Sequence, residues 1–235
     1  MNAGTITKLL AVVGLSAVVA GWAVGQDNQP TTAPASAPAA PLAAPVALPA
    51  PDTSGGMTLN QALATRRSIR AFSDQALTLE QISQLLWAGQ GVTDPQRVKR
   101  TAPSAGASYP LELYVAQPTG VARYDPANHQ LQMLGDQDVR KMLGRQPAVT
   151  AAPLVIVIAA DMGRIGSRYG ERARSFVYLE AGHVAQNILL EATALGLGAV
   201  PVGAFDPRHV KEVLRLADNL EVLYIVPVGH PRRAG

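Results

Sequence analysis

"RTAPSAGASYPLELYV", residues 100–115, changes character half-way along. Up to Ser108 it is built mainly of Pro, Ser, Gly and Ala, which favour turns over regular elements. From Leu111 it reads "LELYVA", rich in apolar, aromatic and branched residues, which predicts a strand over Leu111–Ala116. The stretch before that strand, residues 90–110, reads as one long loop, and a loop of that length inside a compact domain is usually functional. Its serines stand in no Gly-x-Ser-x-Gly elbow and have no base beside them, so the loop shows no sign of a serine nucleophile.

Working outward, "TLNQALATRR" (58–67) predicts a short helix capped by Thr58, with Leu59, Ala62 and Leu63 on one face. "TLEQISQLLWAG" (78–89) predicts a second, with Thr78 and Gln81 as a capping box and Gly89 as the stop. Beyond the loop and strand, "VARYDPANHQLQML" (121–134) reads as a hairpin turning at Asp125-Pro126. "DQDVRKML" (136–143) reads as a short helix capped by Asp136, and "APLVIVIAA" (152–160) as a buried strand. Residues 174–198 carry Val177, Ala181, Val184, Ile188, Ala192 and Leu195 at helical spacing, closing on Gly196 and Gly198. "AVPVGAF" (199–205) is a strand-like turn. "DPRHVKEVLRLA" (206–217) is a helix with Asp206 as cap and Pro207 at its first position. "EVLYIVPVG" (221–229) is the last strand. Helices and strands mix without strict alternation, so the fold class is α+β.

The chain's ends read differently. After Lys8 an uncharged apolar run (9–24) leads to small residues at Ala23 and Gly25, the layout of a secretory signal peptide over residues 1–25. An uncleaved N-terminal anchor is the alternative. Residues 26–56 form a Pro/Ala-rich linker, holding seven of the eighteen prolines between positions 30 and 51, and read as a disordered, extended spacer. The folded domain is then expected over residues 57–235, roughly 175 residues and one core. With no cysteine, an exported chain is held together by packing alone. The net charge of +3, less Lys8, leaves +2, too mild to argue for nucleic acid. The expected location is periplasmic or secreted, with a membrane involved only if the N-terminal segment is retained.

Several chemistries fail on spacing. "GLGAVPVG" follows a helix and precedes a strand, the reverse of a dinucleotide fingerprint. Glu180 and His183 form one Glu-x-x-His with no second copy, so no metal site is expected. The stripe Glu180, His183, Asn187 and Glu191 reads as an interface or a solvated face, and Arg164, Arg168 and Arg172 as a solvated helical face. "RRSIRAF" (66–72) puts Arg66, Arg67 and Arg70 around Ser68, which suits a phosphate. Surface pairing with acids such as Asp74 or Glu80 explains the same spacing equally well.

Taken together, residues 100–115, "RRSIRAF", "YLEAGHVAQNILLEATALGLGAVPVGAF" (178–205) and "YIVPVGHP" (224–231) resemble the nitroreductase superfamily of FMN-dependent oxidoreductases, in its SagB/ThcOx-type branch. The resemblance implies a central mixed sheet flanked by helices and an interlocked homodimer with FMN at the subunit interface. It implies that Arg66, Ser68 and Arg70 hold the flavin phosphate and ribityl chain. The loop Pro103, Ser104, Ala105, Gly106 and Ser108 would wrap the flavin edge, from the opposite subunit. Pro201, Val202, Gly203 and Ala204 would lie along the isoalloxazine, with a backbone N–H near Gly203 at N5. No catalytic side chain and no metal is implied, because the flavin carries the chemistry. Ala107 replaces an asparagine frequent in the wider family, and Arg232 or Arg233 would substitute for a basic C-terminal tail. The implied substrate is a small molecule or a modified peptide. A non-catalytic flavin- or planar-ligand-binding module is the alternative on the same fold.

Overall fold

The computed structural model describes residues 43–232, so the leader expected over 1–25 and the start of the spacer lie outside the described residues. The spacer's end is not free. β1 (Val46–Ala47) pairs antiparallel with Leu131 and Gln130, and Leu48 is 8% exposed. The Pro49 carbonyl accepts from the Ser83 hydroxyl at 2.6 Å and from His129 Nε2 at 2.9 Å. The domain therefore begins near Val46, not at Met57. Proline is tolerated on a sheet edge, and Val46 and Leu48 supply apolar anchors that the Pro/Ala composition conceals.

α1 (Leu59–Thr65) and α2 (Leu79–Gln90) each start with a complete capping box, Thr58 with Gln61 and Thr78 with Gln81. Gly89 does not stop α2. It lies within the helix, where an added Cβ would stand 3.1 Å from Leu113 and 3.2 Å from Ile188, and Gly91 is the C-cap. The long loop is interrupted by a small hairpin, β2 (Val92–Asp94) and β3 (Lys99–Arg100), too short and polar to show alternation. β4 (Leu111–Gln117), β5 (Gly120–Asp125) and β6 (Gln130–Gly135) form a meander that joins the expected strand to the expected hairpin. "DQDVRKML" yields only a 3-10 turn at Arg140–Met142. There Asp138, not Asp136, accepts the Arg140 N–H at 3.1 Å.

α3 (Pro147–Thr150) leads into β7 (Leu154–Asp161), then α4 (Gly163–Tyr169) and the 22-residue α5 (Ala173–Ala194). β8 (Gly198–Ala199), α6 (Pro207–Val213) and β9 (Leu220–Gly229) complete the chain. Seven strands run in the order β1-β6-β5-β4-β7-β9-β8, and every ladder is antiparallel. A parallel bridge, Ser68 to Ala199, attaches the 66–72 segment.

β7 is apolar from Leu154 to Ala160 because both its faces are covered. Leu154, Ile156 and Ile158 pack under α2 and α5 with Leu85, Val184 and Ile188. Val155 and Val157 pack on the other face with Val210, Leu214 and Phe72. The fold is the expected α+β arrangement of a sheet flanked by helices.

Candidate functional site

The cationic segment is positioned by the edge of the sheet. At Arg66 the backbone leaves α1 with φ −52° and ψ 122°, turning the chain into an extended strap. The strap is held by Ile69 N–H to the Ala199 carbonyl at 3.0 Å and Ser73 N–H to the His230 carbonyl at 2.9 Å. Phe72, 1% exposed, bridges to Pro231. Gly198 must be glycine, since a Cβ there would lie 2.6 Å from Ile69 Cγ2. With Ile69 and Phe72 turned inward, Ser68 and Arg70 are exposed and Arg66 half-buried. Arg67 is spent locally, donating to the Ala64 and Arg66 carbonyls at 3.0 and 2.8 Å. Among the described residues, no acid lies within 4.0 Å of Arg66 or Arg70. The pairing with Asp74 or Glu80 is therefore not formed. Arg232 is brought to the same strap, its N–H donating to the Ala71 carbonyl at 3.0 Å.

"PVGA" runs beside the same edge. Val202 and Ile225 exchange both backbone hydrogen bonds, at 2.8 and 3.1 Å, and Gln146 Nε2 donates to the Ala204 carbonyl at 3.0 Å. Gly203 and Ala204 are exposed, and the Gly203 N–H meets no backbone acceptor among the described residues. Two guanidinium groups that meet no acid among the described residues, a hydroxyl on the same strap, and an exposed glycine backbone four residues on from the strap's partner Ala199 suit a flat ligand carrying a phosphate.

The "PSAGAS" loop is elsewhere. It leads into Leu111, whose ladder partner Ala160 pairs onward with Glu221 near the start of β9. The strap bridges Pro231, past the end of β9 at Gly229. Its Ser68 meets the sheet at Ala199, opposite Val228, seven residues from Glu221 or about 23 Å at ~3.3 Å per residue, whereas Val202 of "PVGA" pairs with Ile225, four residues from Glu221 or about 13 Å. One chain thus keeps the strap and the loop apart, with "PVGA" at a level between them on β9.

Gly106, Ala107 and Tyr109 all have left-handed φ, at 60°, 54° and 45°. For the two non-glycines that is strain, which the surroundings must hold. Ser104 Oγ accepts the Tyr109 N–H at 2.9 Å, and Arg168 Nη1 donates to the Gly106 carbonyl at 3.3 Å. The Arg100 guanidinium stacks 4.7 Å from the Tyr109 ring centroid. Arg164 donates to the Tyr109 carbonyl and pairs with Glu112 and Asp161. All three of Arg164, Arg168 and Arg172 are exposed, as a solvated face requires, but they do not share one helix. Two members hold the loop and its strand, and Arg172 lies in the next turn over Phe176.

Glu180 is the other correction. Instead of facing solvent it is 2% exposed beneath the loop, and neither carboxylate oxygen has a hydrogen-bond partner among the described residues. Burial pushes its carboxyl up to about 7, opposed by Ser104, Arg100 and Gln90 close by. Burial also lowers the Arg100 guanidinium from its usual value. A stripe of polar residues on a helix gave no sign that one of them was enclosed, because the covering loop is remote in sequence.

The model described as "Nitroreductase family" matches residues 63–230, from within α1 to the end of β9. The chain belongs to the nitroreductase family. The match takes in the strap, the loop and "PVGA", and stops short of Arg232. A nitroreductase homologue of Methanocaldococcus jannaschii is 41% identical over 181 residues, 73% of this chain and 90% of that protein. The FMN reductase (NADPH) of Bacillus subtilis is 26% identical over 185 residues, 73% of this chain and 65% of that protein. The crystal structure of a nitroreductase homologue from Ralstonia eutropha is similar at a TM-score of 0.77 and 35% identity, over 83% of this chain and 95% of that one.

Proposed function

We propose that this nitroreductase-family chain is an exported, FMN-dependent oxidoreductase whose site is completed by a second copy of itself. The observation that carries the reading is that Arg66 and Arg70, on either side of Ser68, meet no acid among the described residues, on a strap that bridges Ala199, four residues before the exposed Gly203. Those residues, with Arg232, would hold the FMN phosphate and ribityl chain, and Pro201 to Ala204 would lie along the ring. Loop 103–108 of the partner would close the flavin edge, since within one chain it lies seven residues of β9 away from the level of Ser68. The bound flavin would supply hydride and electron transfer at N5, so the chain needs to bind, orient and shield, with no nucleophile of its own. We assign it to the SagB/ThcOx-type branch on its motifs, with Ala107 in the loop, and infer a small-molecule or modified-peptide substrate.

Flavin titration tests the clamp. A charge-assisted hydrogen bond contributes about 1.5–3 kcal/mol, so Arg66→Ala or Arg70→Ala should weaken FMN binding roughly ten- to a hundredfold. Riboflavin, which lacks the phosphate, should change much less. Equal losses for both flavins would defeat the assignment. Anaerobic reduction of the loaded protein by candidate donors separates an oxidoreductase from a flavin-binding module. Export predicts a mature chain beginning at or near Gln26, and intact Met1 in a soluble cytoplasmic fraction would refute it.

A further inference from the structure

Glu180 is enclosed without being bonded: its carboxyl oxygens are buried and neither has a hydrogen-bond partner among the described residues. Three groups face it, Gln90 from α2, Arg100 from β3 and Ser104 from the loop, and only Arg100 is charged. Glu180 and Arg100 form no ion pair within 4.0 Å. The guanidinium is held elsewhere, with Nη1 donating to Gln90 Oε1 at 2.6 Å and its plane over the Tyr109 ring. The titratable groups around Arg100 in turn are Tyr109, Tyr124 and Arg164, and on α5 itself Tyr178 and His183 are exposed. A neutral carboxyl can stay in such a place at modest cost, whereas an ionised one without a bonded partner is far more costly to keep from water.

Of the three covering elements the loop is the least firmly held. α2 is fixed by Leu85 and Leu86, both fully buried. Residues 103–108 are all exposed or half-buried. Arg168, itself exposed, reaches the Gly106 carbonyl only at 3.3 Å. Ala107 and Tyr109 stand at left-handed φ, strain that an open loop would release. We propose that the 103–108 loop is a pH-sensitive cover over Glu180, closing on the neutral carboxyl and lifting to let water reach the ionised one. The flavin reading gives this loop a ligand edge to close, but the movement itself does not rest on that reading. Covered, the carboxyl is pushed by burial up to about 7; open, it returns to its ordinary 4.5. Closure is therefore favoured most below 4.5, loses ground as pH rises to about 7, and stays at its weakest above that.

Amide exchange in the purified full chain, corrected for intrinsic rates, reads the cover directly. Three amides report it: Ala107 and Ser108, bonded to the Ser104 and Ala105 carbonyls, and Tyr109, bonded to Ser104 Oγ. Their opening should be roughly tenfold more frequent at pH 8 than at pH 6, and should change little from pH 8 to pH 9. The Ala127 amide, bonded to Asp125 Oδ1 at 3.1 Å in an exposed turn, is the control and should not change. Glu180→Gln should make the three loop amides independent of pH, about as protected at pH 8 as wild type is at pH 6. Equal or greater protection of the wild-type loop at pH 8 overturns the proposal. So does a loss that Ala127 shares, or an unchanged pH dependence in Glu180→Gln. The wild-type comparison decides the matter even if the variant fails to fold.

Discussion

Arg66 and Arg67 are adjacent in sequence and opposite in use. Arg67 folds back onto the last carbonyls of α1, whereas Arg66 is left without an acid. Arg67→Ala should therefore cost about 0.5–1 kcal/mol of stability through the lost helix-end contacts and leave FMN affinity within about twofold. Chemical denaturation and flavin titration of the two alanine variants side by side check this. If Arg67→Ala weakens FMN as much as Arg66→Ala, the roles assigned to the two side chains are wrong. Spacing alone left phosphate binding and acid pairing equally open, because a side chain's partner depends on where the backbone turns.

At the scale of elements, β1 and α5 each carry more than their sequences announce. The VALP stretch from Val46 to Pro49 docks on β6 and on Ser83 and His129, so a chain beginning at Met57 loses the buried Leu48 and two hydrogen bonds to Pro49. Removing a buried leucine side chain typically costs about 2–5 kcal/mol, and this edge position should fall near the lower end. Melting curves of chains starting at residue 43 and at Met57 measure it; equal midpoints would mean the docked stretch contributes nothing. Within α5, Glu180 is raised from 4.5 to about 7 by burial. Between those values the folded state holds a proton that the unfolded state has lost, so stability falls as pH rises through that window and stays low above it. Glu180→Gln should then be more stable than wild type at pH 8, by up to about 3 kcal/mol at ~1.4 kcal/mol per pKa unit. The advantage should vanish near pH 4.5. Denaturation at both pH values tests the sign.

For the whole molecule, the separation of strap and loop along β9 makes a two-chain prediction. A subunit with Arg66→Ala and Arg70→Ala keeps a good loop, while one with Gly106→Ala keeps a good strap. At Gly106 a Cβ would meet Arg168 Nη1 at 2.6 Å on a backbone with φ +60°. Each variant alone should bind FMN poorly, and mixed dimers should recover one wild-type site of their two. No recovery from demonstrated mixed dimers would mean that each site is built within one chain. Helix caps at Thr58, Thr78 and Asp206, the strand β4, the β5–β6 hairpin and the apolar β7 were legible in the sequence, because side-chain period and local hydrogen bonding set them. The residues proposed for the site, Arg66, Ser68, Arg70, loop 103–108 and "PVGA", were named by their motifs. What only tertiary structure decided was who faces whom. Gly89 became a packing contact instead of a stop, two of the Arg164–Arg168–Arg172 series became struts, and Glu180 went under cover. These are contacts between segments far apart in the chain, and no local pattern of polarity records which distant surface will arrive to exclude water.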